Sequence, residues 1–263
     1  MGDRVTFQLS GSVAVITLDD PPLNLFGAEL MADLAKAVDA ALASNCRAAV
    51  IAATGQTFSG GANVRIFQGR NADQAREMFA TYLPVVHRIE AAPFPFVAAV
   101  QGLCLAAGLE LALACDMIIA AQGARFSQVE ALIGATTFLG GAQRLALRCG
   151  DARAREIVYT ADVYDAATFE RWNIVNRIVP DEILIQEALE FAERLAAGPT
   201  RAHAVTKKML RAFCREGLAA ADEVILTDSV MLFESEDMQS GVSRILEQGA
   251  RNARYGKKTF KGA

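Results

Sequence analysis

Gln101 to Glu130 reads QGLCLAAGLELALACDMIIAAQGARFSQVE, and the order of small, apolar and acidic residues in it governs how the rest of the chain is read. It follows an apolar strand over Phe96 to Val100, passes through Ala106, Ala107 and Gly108, and enters the helix-forming run Leu109-Glu110-Leu111-Ala112-Leu113-Ala114. A strand, a tight turn and a helix start in that order leave backbone N–H groups at the turn with no intrahelical acceptor. Glu110 falls in the first turn of that helix, on an otherwise apolar segment where a carboxylate is rarely placed without a partner or a task. Met117 to Ala121 is a second apolar strand, and the run from Phe126 to Gly134, which also reads as buried, carries a second acid, Glu130. Each feature alone has a plainer reading. Glu110 suits a helix N-terminal charge, Glu130 a strand-end acid, and the Gly/Ala runs close packing.

Working outward, Val5 to Leu9 and Val13 to Leu18 flank Ser10-Gly11-Ser12 and read as a β-hairpin, stopped by Asp19-Asp20-Pro21-Pro22. Residues 27 to 43 have helical spacing, and Ala48 to Ala53 is a short buried strand. The loop after it contains Phe58-Ser59-Gly60-Gly61-Ala62-Asn63-Val64, a second strand-to-loop junction built of small residues, where a backbone can approach a ligand closely. Residues 72 to 91 read as helix, with a break or kink expected at Pro84. Beyond the central stretch, helices are expected from Gly140, over Ala152 to Thr160 and over Ala166 to Trp172. A strand over Ile174 to Val179 follows Asn173, which is expected in the left-handed cap conformation. From Asp181 the pattern is helical, broken at Gly198-Pro199. This implies a mixed α/β core over residues 1–198 and a carboxy-terminal helical module over 199–263 packed against it.

The chain has 263 residues and a net charge of -4, which gives no electrostatic case for nucleic acid. No stretch has the length and apolarity of a signal peptide or a membrane span, so a cytoplasmic protein without a membrane partner is expected. Cys46, Cys104, Cys115, Cys149 and Cys214 form no CxxC pair and fit reduced thiols. With only His87 and His203, a His-based zinc site or a Ser-His-Asp triad is not expected. The basic end from Arg251 to Ala263 reads as a solvated tail that a ligand carrying several phosphates would attract.

The two small-residue loops supply amides that can converge on one oxygen, and Glu110 and Glu130 supply two carboxyls. With Pro22-Leu23-Asn24-Leu25, Phe126-Ser127-Gln128-Val129-Glu130, Gly140-Gly141-Ala142-Gln143-Arg144-Leu145 and the basic end, this order resembles the crotonase superfamily, and within it the enoyl-CoA hydratases, over nearly the whole chain. The resemblance implies a spiral of ββα units with a carboxy-terminal helical trimerisation module, assembling as a homotrimer or a hexamer of paired trimers. It implies an acyl-CoA substrate and no metal or separate cofactor. The amides of Ala62 and Ala107 match the family's oxyanion hole, and Glu110 and Glu130 its two catalytic carboxylates. Leu25, Gly60, Asn63, Val64, Gly108, Phe138, Lys257 and Lys258 fall where substrate contacts are expected. The implied reaction is reversible addition of water to a 2-enoyl-CoA. An enoyl-CoA isomerase, another CoA-thioester lyase, or a weakly active CoA-binding member shares the oxyanion hole.

Three departures from the family pattern bear on activity. Asn63 stands where an Asp is common, which alters the anchoring of its loop. Ala106-Ala107-Gly108 stands for a run of glycines, so a Cβ is present and a negative φ is expected. Thr137-Phe138 replaces Pro-Gly, and the Phe138 ring is expected to narrow or reshape the acyl pocket.

Overall fold

The computed structural model describes residues 3–249 and 260–262. In chain order its elements are β1 (Val5–Ser10), β2 (Val13–Leu18), α1 (Ala28–Ala43), β3 (Ala48–Ala53), α2 (Ala72–Ala91), β4 (Phe96–Val100), β5 (Leu103–Leu105), α3 (Ala107–Ala114), β6 (Met117–Ala121) and β7 (Arg125–Ser127). They continue as α4 (Gly141–Cys149), α5 (Asp151–Thr160), β8 (Tyr164–Asp165), α6 (Ala166–Arg171), β9 (Arg177–Val179), α7 (Leu184–Ala196), α8 (Thr200–Glu216), α9 (Leu218–Val224) and α10 (Glu236–Gln248). Short 3-10 turns intervene, two of them at Val64–Ile66 and Glu130–Ile133.

The main sheet has the order β1-β2-β3-β4-β6-β9, antiparallel only at the β1–β2 hairpin. Its central strands are buried on both faces, as parallel strands must be. Ala49, Ile51, Ala98 and Val100 face the larger core with α1, while Ala48, Val50, Ala52, Val97 and Ala99 face α7. The alternation follows from the period of two along a strand. A second sheet, β5-β7-β8, pairs β5 parallel to β7 and β7 antiparallel to β8. These two- and three-residue strands are too short to carry a periodic signal, and the sequence reading contained none of them.

Three sequence expectations are corrected. The helix α2 continues across Pro84 with no break assigned, its start fixed by a capping box between Asn71 and Gln74. The run after Phe126 is buried only in part: Ala131 to Gly134 are exposed, because the 3-10 turn that Glu130 opens swings them to the surface. Of Ile174 to Val179 only Arg177–Val179 form a strand, although Asn173 does take φ 62°.

Helix α8 is fastened to the core by Lys207. Its buried ammonium donates to the carbonyls of Ile89 (2.9 Å) and Phe94 (3.2 Å) and to Asp116 Oδ2 (2.7 Å). Satisfying all three donors is what makes a buried lysine tolerable. Farther out, α8 to α10 and the turns between them leave Phe213, Leu226, Phe233 and Leu246 exposed. No helix among the described residues is long and apolar enough to cross a membrane.

Candidate active site

Strand register brings the site together. The backbone at Ser59 bridges Cys104 in the parallel sense, with Ser59 N–H donating to Leu103 O (3.0 Å) and Leu105 N–H to Ser59 O (2.9 Å). Cys104 in turn pairs with Phe126 across β5 and β7. Three chain segments therefore run side by side in the same direction and end at one mouth. Ala62 lies three residues past Ser59, Ala107 three past Cys104, and Glu130 four past Phe126. Convergence of functional groups beyond the carboxyl ends of parallel strands is the general placement for ligand sites in such sheets.

The two loop amides are left available. On either side of Ala62, Gly61 N–H donates to Ser59 Oγ (3.0 Å) and Asn63 N–H to Phe26 O (2.8 Å). Ala107 is the first residue of α3, preceded by Ala106, whose N–H donates to Ser127 O (3.0 Å). Among the described residues, neither Ala62 N–H nor Ala107 N–H has an acceptor in the protein. The loops approach so closely that a Cβ added at Gly61, where φ is +96°, would meet the Ala106 Cβ at 2.9 Å. The expectation of negative φ before the second amide is corrected: Ala106 has φ 45° and ψ -121°, a conformation suited to glycine. Such backbone costs about 1–3 kcal/mol and persists only where its surroundings enforce it, here the Ser127 bond on one side and α3 on the other.

Glu110 is 2% exposed. Its Oε1 accepts from Leu139 N–H and Gly141 N–H, both at 2.8 Å, so the carboxylate sits on the amino terminus of α4. Burial pushes its pKa up; the two amides and the nearby Arg144 guanidinium pull the other way. Arg144, itself buried, holds that loop in place by donating to Leu139 O (2.6 Å), Gly140 O (3.0 Å) and Glu90 Oε1 (2.8 Å). A Cβ on Gly141 would meet the side-chain amide of Gln128 at 2.5 Å and Glu110 Cγ at 3.0 Å, so only glycine fits between them.

Glu130 is 8% exposed. Burial and then the neighbouring Glu110 charge raise its pKa to about 7. With its amide turned to satisfy both ends, Gln128 donates from Nε2 to Glu130 Oε1 (2.9 Å) and Oε2 (3.0 Å). The two acids thus have distinct environments. Glu110 is clamped by amides, and Glu130 is poised to hold a proton near neutrality.

Both acids, Ala62, Ala107 and Gly60 line one cavity of about 120 Å³, whose other walls are apolar and include Phe26, Met31, Val64, Phe67, Phe79 and Phe138. Of the expected substrate contacts, Gly60, Val64 and Phe138 line it. Leu25 and Asn63 do not: they line a neighbouring cleft with Pro22 and Leu23, and Ile66 borders both spaces. Gly108 lies beneath the site, where a Cβ would meet Ser59 Cβ at 2.5 Å. Asn63 anchors its loop without a charge, its Oδ1 accepting from Arg65 N–H (3.2 Å) at the head of a 3-10 turn. Lys257 and Lys258 lie outside the described residues. Sequence reasoning gave no role to the Leu139 and Gly141 amides, to Arg144 and Gln128, or to Phe67 and Phe79. A single arginine or glutamine in a sequence reads as a solvated side chain, and amide direction has no signature in side-chain chemistry.

Two amides without a protein acceptor among the described residues and two buried carboxyls thus line one largely apolar cavity. The family model "Enoyl-CoA hydratase/isomerase" matches residues 8–256. The "Probable enoyl-CoA hydratase" of Rhizobium meliloti (strain 1021) is 34% identical over 247 residues, covering 92% of this chain and 94% of that protein. The "Crotonyl-CoA hydratase" of Syntrophomonas wolfei is 33% identical over 197 residues, covering 75% and 76%. Among solved structures, enoyl-CoA hydratase subunit I from Geobacillus kaustophilus HTA426 superposes with a TM-score of 0.90 at 29% identity, covering 99% of this chain and 98% of that one. The chain belongs to the enoyl-CoA hydratase/isomerase family and has the crotonase fold.

Proposed function

We propose that the protein is a hydro-lyase that adds water reversibly to a 2-enoyl-CoA thioester, giving a 3-hydroxyacyl-CoA. The thioester oxygen sits between the N–H groups of Ala62 and Ala107. As water attacks the β-carbon, the electron pair of the double bond moves toward that oxygen, and preorganised amides stabilise the growing charge by roughly 3–4 kcal/mol per donor. Glu110, ionised and clamped by the α4 amides, takes the proton of the attacking water. Glu130 delivers its proton to the α-carbon as the thioester carbonyl re-forms. Proton exchange between the two acids through water then restores the starting state. These groups suffice for the chemistry, with no metal or separate cofactor in any step. The observation that carries this reading is the pair of buried acids held differently: a pKa near 7 on Glu130 suits a group that must both give and take a proton. Retention of two acids also favours hydration over isomerisation, which needs a different acid/base set.

The pantetheine arm of CoA is assigned to the neighbouring cleft that Leu25 and Asn63 line, since Ile66 borders both spaces. The phosphate contacts are assigned to Lys257 and Lys258 of the basic tail; in the same tail, Lys261 Nζ pairs with Glu236 (3.0 Å). The exposed apolar side chains of α8 to α10 fit burial against further copies in a cytoplasmic homotrimer, or in a hexamer of two trimers. Sedimentation should then give three or six times the 28.1 kDa chain mass; a monomer would remove that assignment. The reaction is tested with crotonyl-CoA. Loss of the enoyl absorbance is expected, with a 3-hydroxyacyl-CoA as product. Turnover of a 3-enoyl-CoA alone would make it an isomerase, and tight CoA binding without turnover a binding protein.

A further inference from the structure

We infer that Phe67, Phe79 and Phe138 close the cavity beyond the two acids and restrict the substrate to short acyl chains, with Phe138 as the specificity-determining residue. The inference rests on reading this cavity as the acyl end of an acyl-CoA site. The three rings come from separate parts of the chain: Phe67 follows the 3-10 turn at Val64–Ile66, Phe79 lies on α2, and Phe138 precedes the loop that clamps Glu110. Phe79 and Phe138 stack with centroids 4.6 Å apart, and Phe67 packs against Phe138 at 5.8 Å with its plane tilted by 57°. Phe138 is the one ring in contact with both others, so it joins two walls that would otherwise stand apart. Such ring pairs add to simple area burial and resist being spread.

Size sets the limit. An apolar cavity of about 150 Å³ accommodates one benzene, so the smaller space of about 120 Å³ here takes an acyl group of about four carbons. A longer chain has to separate the stacked pair. Phe138 also adjoins Leu139, whose N–H holds Glu110 at 2.8 Å. A chain that displaces this ring therefore loosens the carboxylate, and long substrates should lose kcat as well as affinity.

The test has two readouts. Hydration of C4, C6, C10 and C16 2-enoyl-CoAs is expected to show kcat/KM falling at least about a hundredfold from C4 to C16, reflecting several methylenes with no room. Phe138→Ala should raise the C10 to C4 ratio tenfold or more. Phe79→Ala should do the same from α2, without touching the residue next to Leu139. Equal wild-type kcat/KM at C4 and C16, or variants that depress every length in proportion, would overturn the inference. Calorimetric binding of saturated butyryl-, decanoyl- and palmitoyl-CoA is read separately, because it needs no turnover. Absence of hydration at any length alongside binding that favours butyryl-CoA would defeat the reaction and keep the cavity limit. Undiminished affinity for palmitoyl-CoA would defeat the limit and leave the reaction standing.

Discussion

Glu110→Gln should lower kcat for crotonyl-CoA hydration by three orders of magnitude or more while KM changes little. The replacement is nearly isosteric, and a glutamine Oε1 still accepts from Leu139 and Gly141, so the α4 amino terminus keeps its partner. What disappears is the ability to take a proton from water. A positioned base contributes on the order of 10²–10⁴-fold, and Glu110 also orients the nucleophile, which places the loss toward the upper end. A buried acid whose pKa is raised by desolvation is no stability asset in its charged form, so the variant should unfold no more easily than the wild type. A kcat within tenfold of wild type, in a folded variant, would remove Glu110 from the chemistry.

Glu130→Gln should lower kcat by two to four orders of magnitude and also change how the protein responds to pH. In the folded protein this carboxyl holds its proton up to about pH 7, against an ordinary value of 4.5. The folded state binds that proton more tightly than the unfolded state, so the stability it brings is complete below about 4.5 and is lost as pH rises through about 7. Above pH 7 the ionised, buried acid costs the wild type up to about 3 kcal/mol, at 1.36 kcal/mol per unit. Urea unfolding should find the variant more stable than wild type at pH 8.5, with the gap closing toward pH 4.5. Activity follows the same proton. Hydration, which needs Glu130 protonated and Glu110 ionised, should fall above about pH 7, and dehydration, which starts with that one proton on Glu110 instead, should fall with it, because the overall reaction takes up no proton. Equal pH dependence of stability in variant and wild type would place the proton elsewhere.

The parts legible in the sequence are those where chemistry and periodicity coincide. Phe96 to Val100, the small-residue turn and the apolar helix announced a strand, a turn and a helix, and α3 begins at Ala107, within the turn. Glu110 stood out because an acid is rare on such a face. The convergence of the site was not legible, because it depends on the second sheet, whose strands are two or three residues long. Ala106 showed a different limit. Its side chain argued for ordinary backbone, yet the Ser127 bond and the helix start hold it at positive φ. Pro84 went the other way: local propensity argued for a break, and packing of Val85, Val86 and Ile89 into the core keeps α2 continuous around it. Phe138 was legible as a departure, but its partners Phe67 and Phe79 lie 71 and 59 residues earlier in the chain and emerge only in three dimensions.

The most direct measurement is a crystal structure with butyryl-CoA, a saturated thioester that can occupy the site without reacting. Its carbonyl oxygen should lie within about 3.2 Å of both the Ala62 and Ala107 nitrogens, with the α- and β-carbons between Glu110 and Glu130. A carbonyl bound elsewhere, or hydrogen-bonded to neither amide while the acyl chain fills the cavity, would contradict the shared placement of charge and proton transfer on which the proposed reaction depends.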